Sequence, residues 1–250
     1  MNADRGQLRW LGHATVLVTL DGATALTDPV LRPRVMHLRR HAAPAEVPQG
    51  LDLLLLSHLH RDHVDGPSLR RLPAAPVVVP RGGAGVVRRL GRRDVVEMAA
   101  GDRLHIRGFD VSAVEAAHDG RRSPLHRDTP ALGYLLERGD RRVFFAGDTD
   151  DHPGMDALGS LDAALLPVWG WGPSLGAGHL DPESAARVAV RLRAHVSVPI
   201  HWGTYLPLGY RRRRDLLHGP GPAFADAVRR LDPALRVAVV APGGAVALPD

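Results

Sequence analysis

Runs of apolar and β-branched residues recur along the chain, with turn-forming residues between them. They predict strands at residues 7–11, 15–20, 24–27, 51–56, 77–79, 95–98, 109–117, 131–136, 143–146, 163–166, 196–200 and 237–240. The dipeptides Asp21-Gly22 and Gly139-Asp140 separate neighbouring runs, which predicts hairpins of antiparallel strands at both places. The chain is therefore rich in strands.

Helical spacing of apolar residues is rarer. Asp181 is a suitable N-cap before Pro182, and the pattern that follows predicts a helix over 183–194. Further helices are predicted over 67–72, 82–90 and 222–231. Strands and helices alternate along the 250 residues without a low-complexity linker, so we expect residues 1–250 to form a single domain in which two sheets are covered by helices.

Cysteine is absent from the chain. Any metal must then be bound through nitrogen and oxygen, and a cytoplasmic location is favoured. No segment approaches the roughly 20 consecutive apolar residues that a membrane-spanning helix needs. His13, Thr15 and Asp21 interrupt the apolar part of the N-terminal segment, so we expect no export signal there.

The formal net charge is +5, and all 32 basic residues are arginines. A basic surface attracts anionic partners, but a GC-biased coding sequence also enriches arginine. The run Arg211 to Arg214 has the same two interpretations: a patch for phosphate, nucleic acid or acidic lipid, or a solvated surface.

Four candidate metal ligands directly follow a predicted buried strand. The apolar run 51–56 ends at Ser57, and His58, His60, Asp62 and His63 come next. On an extended segment His58 and His60 project to the same side, and a turn at residue 61 would direct the next two towards a second metal. Four such residues within six positions are not typical of a polar surface loop. The segment therefore predicts two metal ions.

Three other predicted strands also end in a ligand type. His118 follows 109–117, Asp148 follows 143–146, and His201 follows 196–200. Catalytic zinc sites commonly take three protein ligands and leave a position for water, so one loop cannot complete two coordination shells. These three residues are candidates for the missing ligands.

The pattern from His58 to His63, with His118, Asp148 and His201 downstream in that order, resembles the metallo-β-lactamase superfamily. Segments 10–15, 27–29, 178–183 and 200–204 resemble the branch that contains N-acyl-phosphatidylethanolamine phospholipase D and ascorbate-6-phosphate lactonase-like proteins. The resemblance implies an α/β fold, a four-layer αββα sandwich of two mixed sheets flanked by helices.

The resemblance also implies a ligand set. His58, His60 and His118 would hold the first metal, Asp62, His63 and His201 the second, and Asp148 would bridge them. Zinc is the expected metal, with manganese or iron as alternatives. No ligand of the family is missing, which argues against a purely structural role.

A dinuclear centre of this kind lowers the pKa of a shared water and holds the resulting hydroxide as the nucleophile. Asp148 would fix the metal separation and Asp62 would help to orient the hydroxide. We therefore predict a hydrolase for a small-molecule or lipid-like anionic substrate, with a phosphodiester ranked first and a small lactone, such as a sugar-phosphate lactone, second. A non-enzymatic alternative is a metal-stabilised nucleic-acid-binding protein, although no nucleic acid is expected as a partner.

Five further residues are candidates around the metals, and each has a structural alternative. His179 would donate a proton or a hydrogen bond to the substrate or leaving group, or fix its loop. His13 would face the site, or satisfy buried backbone groups. Asp28 would orient the ligand loop, or form the turn before Pro29. Trp169 and Trp171 would form an apolar wall for the substrate, or pack in the core.

Overall fold

The fold is described from a computed structural model that covers residues 6–120, 129–170, 172, 176–210 and 212–249. In chain order its strands are β1 (Gly6–Gly12), β2 (Thr15–Leu20), β3 (Ala23–Thr27), β4 (Arg34–Val35), β5 (Leu38–Arg40), β6 (Leu53–Leu55), β7 (Val77–Pro80), β8 (Val95–Met98), β9 (Arg103–Ile106), β10 (Phe109–Glu115), β11 (Leu132–Arg138), β12 (Arg141–Phe145), β13 (Ala163–Pro167), β14 (Val196–Ile200), β15 (Tyr205–Pro207) and β16 (Ala245–Ala247). The α-helices are α1 (Gly66–Arg71), α2 (Ala84–Arg89), α3 (Pro182–Leu192), α4 (Arg214–His218) and α5 (Pro220–Leu231).

Two mixed sheets form the centre of the molecule. The first has the order β16-β1-β2-β3-β6-β7-β8 and the second has the order β14-β13-β12-β11-β10-β9. Strand β6 alternates cleanly: Leu53 and Leu55 face the second sheet, while Leu54 faces the side covered by α1 and α2. Helices α3 and α5 pack on the other side of the second sheet. The four-layer αββα arrangement is thereby confirmed.

The topology brings the predicted ligands to one edge. Strands β10, β12 and β14 run in the same direction, because β10 and β12 both pair antiparallel with β11, while β12, β13 and β14 are parallel neighbours. Strand β6 of the first sheet ends at the same edge, where Ser57 accepts a hydrogen bond from the Leu132 amide at 2.8 Å. The Tyr134 hydroxyl donates to the Leu56 carbonyl at 2.9 Å and joins the two sheets beneath the ligand loop.

The predicted hairpins at Asp21-Gly22 and Gly139-Asp140 are confirmed, since each connects an antiparallel pair. The strand predicted at 237–240 is wrong. Val237 makes only a single bridge to Ser197, and the segment then leaves the sheet. The edge of β1 is occupied by β16 instead, because the turn at Gly243 and Gly244 returns the chain to Trp10.

Several short elements have too few residues, or too many arginines, to give a periodic signal. They include β4, β5 and β15, which form a separate three-stranded sheet in the order β15-β5-β4. Strands β9 and β16 and helix α4 were likewise not predicted. Among the described residues, no helix combines the length and apolar character that crossing a membrane requires.

Candidate metal centre

The loop after β6 turns sharply at residue 61. The His60 carbonyl accepts hydrogen bonds from the amides of His63 at 3.1 Å and Val64 at 2.8 Å. The turn predicted at residue 61 thus lies between His60 and Asp62, and the ring centroids of His58 and His63 are 4.1 Å apart. The loop is then anchored by Asp65, which caps α1 through the Ser68 amide at 3.0 Å and pairs with Arg32 through both carboxylate oxygens.

One ligand group consists of three histidines. Nitrogen atoms of His58, His60 and His118 all lie within 4.8 Å of one another. His118 Nε2 lies 3.3 Å from His60 Nδ1, and His118 Nδ1 lies 2.9 Å from the Gly178 carbonyl. His118 thus enters from the second sheet, while His58 and His60 come from the first.

The second group combines histidine and carboxylate. His63 Nε2 lies 3.2 Å from His201 Nε2 and 3.8 Å from Asp62 Oδ2. Asp148 lies against both histidines, with Oδ2 3.1 Å from His63 Nε2 and Oδ1 3.2 Å from His201 Nε2. Asp148 also belongs to a cluster with His118 and His179, so it stands between the two ligand groups.

The hydrogen bonds at the outer nitrogens determine which nitrogen faces inwards. The Ser57 hydroxyl donates to Asp28 at 2.5 Å, so at 2.9 Å it accepts from His58 Nδ1. His63 Nδ1 faces Asp28 at 2.7 Å. Nδ1 of His118 and His201 faces the carbonyls of Gly178 and Trp169. A nitrogen that donates outwards leaves the other ring nitrogen with a lone pair.

Four imidazole lone pairs therefore converge with Asp62 and Asp148 on one buried volume. His58 Nε2 is buried and has no hydrogen-bond partner within the described chain. Such a set of acceptors without donors fits divalent cations, which bind neutral imidazole and ionised carboxylate. The residues present thus fit the metal ions that the sequence predicted.

The electrostatics of the protein alone agree with this fit. Burial lowers the pKa of His58 well below its usual range, and burial also lowers the pKa of His118, to about 4. Burial would lower the pKa of His63 too, but Asp148, Asp28 and Asp62 raise it well above the ordinary value. The carboxylates around His63 therefore stabilise a positive charge at this position, and a cation can supply that charge in place of a proton.

Asp28 is completely buried and lies behind the centre. Its carboxylate also accepts from the Ser57 amide at 2.7 Å, so it holds the start of the loop as well as His63. Burial raises its pKa, against the opposing effect of His63 and Ser57. This is the geometry expected of a residue that orients the ligand loop.

His13 is also fully buried, and its Nε2 lies 3.5 Å from Asp62 Oδ2. Its ring centroid lies 4.0 Å from that of His201. Its side chain joins the second ligand group, and its backbone is bonded to Thr204 Oγ1, Trp10 Nε1 and the His201 amide.

His179 is partly exposed at the edge of the cluster, with Nε2 3.9 Å from Asp148 Oδ2. Trp169 is only 4% exposed, and its indole N–H donates to the Gly172 carbonyl at 2.9 Å. Its ring packs in the core, while its carbonyl holds His201. Trp171 lies outside the described residues, as does Arg211.

Sequence reasoning missed several supporting residues. Ser57 and Thr204 connect the ligands to the frame, and the Gly178 carbonyl orients His118. Ser57 could have been found as the hydroxyl residue that ends the apolar run. The Gly178 carbonyl has no signal in the sequence, because any residue carries that acceptor.

Comparisons with known proteins show the family of the chain. Residues 24–202 match the model of the beta-lactamase superfamily domain, and the chain belongs to this family. It is 31% identical over 244 residues to N-acyl-phosphatidylethanolamine-hydrolyzing phospholipase D 1 of Caenorhabditis elegans, with 83% of this chain and 67% of that protein covered. It spans only 60% of the length of a related protein of Mycobacterium tuberculosis.

Another relative has a similar length. The chain is 31% identical over 226 residues to a UPF0173 metal-dependent hydrolase of Thermus thermophilus, covering 89% of this chain and 91% of that one. Among solved structures, the metallo hydrolase Igni18 of Ignicoccus hospitalis matches 98% of this chain and 99% of its own, with a TM-score of 0.74 at 20% identity. The chain is thus a metal-dependent hydrolase of the metallo-β-lactamase superfamily.

Proposed function

We propose that this hydrolase uses two divalent metal ions to cleave a phosphodiester in a lipid-like anionic substrate. The observation that carries the proposal is the position of Asp148. Its two oxygens lie near His63 and His201 of the second ligand group, and it also clusters with His118 of the first. The relative named as a phospholipase D supports the phosphodiester. Zinc is proposed as the metal on the donor set, which also accepts manganese and iron.

Two bound cations would supply an activated water and positive charge for the oxygen that becomes more negative during hydrolysis. The protein's own groups do the rest. Asp148 holds the two ligand groups at a fixed separation. Asp62, whose side chain is 14% exposed, would help to orient the attacking water.

We assign to His179 the transfer of a proton or hydrogen bond to the leaving group. Its side chain is 26% exposed, against 14% for Asp62 and 4% for Asp148, so a substrate can reach it more readily than either carboxylate. Its Nδ1 lies 3.4 Å from the Gly176 carbonyl, which leaves Nε2 directed to the cluster. A donor at this place serves a leaving oxygen better than a buried ligand does.

The test is turnover of a chromogenic phosphodiester and of a lactone panel by the metal-loaded protein. Asp148→Ala should lose activity by more than about 100-fold, beyond the range typical of residues that only support ligands. The matched control is Asp110→Asn, because Asp110 is a carboxylate with 67% side-chain exposure on strand β10. Loading with zinc, manganese or iron before the assay tests the metal.

Selective lactone turnover that vanishes in Asp148→Ala would move the reaction from phosphorus to carbon. Turnover of neither substrate by protein with two bound metals per chain would reject both substrates. One bound metal with full activity would reject the dinuclear centre.

A further inference from the structure

The small sheet of β4, β5 and β15 carries a surface that its own folding does not explain. We call it the arginine face, defined by Arg34, Met36, Arg39, His41, Leu208, Arg212 and Arg214. Arg39, His41, Leu208 and Arg212 line a pocket of about 580 Å³, together with Arg40. Unlike the others, Arg40 is buried and donates to the carbonyls of Leu11 and Ala43.

Positive charge on this face is not neutralised. Arg34 and Arg39 are directly opposite each other across the antiparallel pair β4–β5, an arrangement that destabilises a sheet. In the described part of the chain, no carboxylate lies within ion-pair distance of Arg39, Arg212 or Arg214. The same positive charges act on His41. Its pKa is lowered by burial and then by Arg214, Arg39 and His218. A bound anion would relieve this repulsion.

Two apolar side chains lie near these arginines, Met36 in the turn between Arg34 and Arg39 and Leu208 in the lining of the pocket. Met36 occupies the two-residue turn between β4 and β5 with φ +49°, a conformation for which glycine or asparagine is preferred. Met36 is nevertheless 45% exposed, and Leu208 is 44% exposed. The Leu208 amide donates to the His37 carbonyl at 3.0 Å, which ties the two segments together. A strained turn thus holds a large apolar group in solvent beside arginines.

We propose that the arginine face docks this hydrolase on the surface of an anionic phospholipid bilayer. Arg39 and Arg212 bind headgroup phosphates, which match the planar guanidinium, and Met36 and Leu208 enter the layer below the headgroups. Arginines flanking exposed aliphatic side chains are typical of interfacial binding. Nucleic acid fits less well, because Met36 and Leu208 offer no aromatic platform for bases.

A single residue, Thr204, connects the arginine face to the metal centre by hydrogen bonds. Thr204 accepts from the His41 amide through its carbonyl at 2.8 Å and from the His13 amide through its hydroxyl at 2.8 Å. Docking here would bring a bilayer near the centre that hydrolyses a lipid-like substrate. The purpose of docking rests on the proposed function. Vesicle binding itself can be measured without substrate turnover.

The experiment is flotation of the metal-loaded protein with vesicles of phosphatidylcholine, alone or mixed with phosphatidylglycerol. We expect binding only to the mixed vesicles, weakened by salt. Arg39→Gln/Arg212→Gln should weaken it roughly 25-fold, at about fivefold per arginine. Met36→Asn/Leu208→Ser should also reduce it, and asparagine suits the turn, so this variant stays folded. Arg71→Gln/Arg89→Gln, with exposed arginines on α1 and α2, is the control and should bind as the unaltered protein does.

Absence of binding to mixed vesicles, or equal loss in the control variant, would overturn the proposal. So would binding of inorganic phosphate or of a DNA duplex that requires Arg39 and Arg212 when vesicles are not bound. Each variant is also assayed on a soluble phosphodiester, where turnover should be unchanged. Vesicle binding without any turnover would reject the proposed function and leave the docking surface intact.

Discussion

Asp28 shows how one buried side chain fixes several others. Its two oxygens accept from the Ser57 amide, the Ser57 hydroxyl and His63 Nδ1. Because the Ser57 hydroxyl proton is used in this way, Ser57 must accept from His58. A single carboxylate therefore sets the orientation of a histidine in each ligand group, although it lies in neither coordination sphere proposed above.

We predict that Asp28→Asn lowers metal affinity by about 10–100-fold, the range for groups that orient metal ligands. An amide has a single acceptor oxygen, so it cannot receive all three hydrogen bonds from the Ser57 amide, the Ser57 hydroxyl and His63 Nδ1. Competition with a chromogenic chelator measures the affinity. Asp52→Asn is the matched control, because Asp52 accepts from the Thr24 amide in the same sheet without touching a ligand. Equal affinities for Asp28→Asn and the control would contradict this role.

At the scale of the element, the ligand positions depend on how closely strand ends approach each other. Gly147, between β12 and Asp148, has φ +63°. A Cβ added there would lie 2.7 Å from Ser57 Cβ and 3.0 Å from the Leu132 carbonyl oxygen. Glycine thus allows the ends of β6, β11 and β12 to meet, which brings Asp148 to the histidines of the other sheet.

Gly147→Ala should therefore cost more stability than backbone strain alone. The comparison is Gly22→Ala, because Gly22 has φ +75° but open space around its added Cβ. Gly22→Ala should cost about 1–2 kcal/mol of unfolding free energy, the strain of a left-handed residue. Gly147→Ala should cost more and also lower the metal content, because Ser57 and Asp148 must separate. Denaturant titration and elemental analysis measure both quantities; matching losses with full metal content would show that the contact is unimportant.

At the scale of the whole molecule, the candidate metal centre lies where the strand ends of the two sheets meet. The first sheet contributes His58, His60, Asp62 and His63, and the second contributes His118, Asp148 and His201. Buried carboxylates at this junction of the two sheets repel each other unless positive charge lies between them. Metal binding is therefore expected to hold the sheets together as well as to support chemistry.

We predict that removing the metal with a chelator lowers the melting temperature by roughly 10 °C. Binding to the folded state alone contributes about 4 kcal/mol at a metal concentration 1,000 times Kd, and each kcal/mol shifts the melting of a chain of this size by about 2–4 °C. Differential scanning calorimetry with and without metal measures the shift. Asp148→Ala should show a much smaller response, and equal melting of the metal-free and metal-loaded protein would contradict the prediction.

The order of most strands, the helix that begins after Asp181, and the family could be predicted from the sequence alone. The alternation of apolar residues and helix capping are local properties of the sequence. The segment from His58 to His63 likewise contains four candidate ligands within six positions. Strand ends at His118, Asp148 and His201 were visible for the same reason. Each of these signals lies within a few neighbouring residues.

Features that require distant segments to meet could not be predicted and became apparent only in the folded chain. Strand β16 pairs with β1 because the chain returns there, while 237–240 finds no partner strand along its length. The Gly178 carbonyl at His118, and the opposed Arg34 and Arg39, have no local signature. Backbone groups are the same in every residue, and strand pairs are fixed by long-range packing. The positions of ligand supports and charged surfaces therefore follow from the fold.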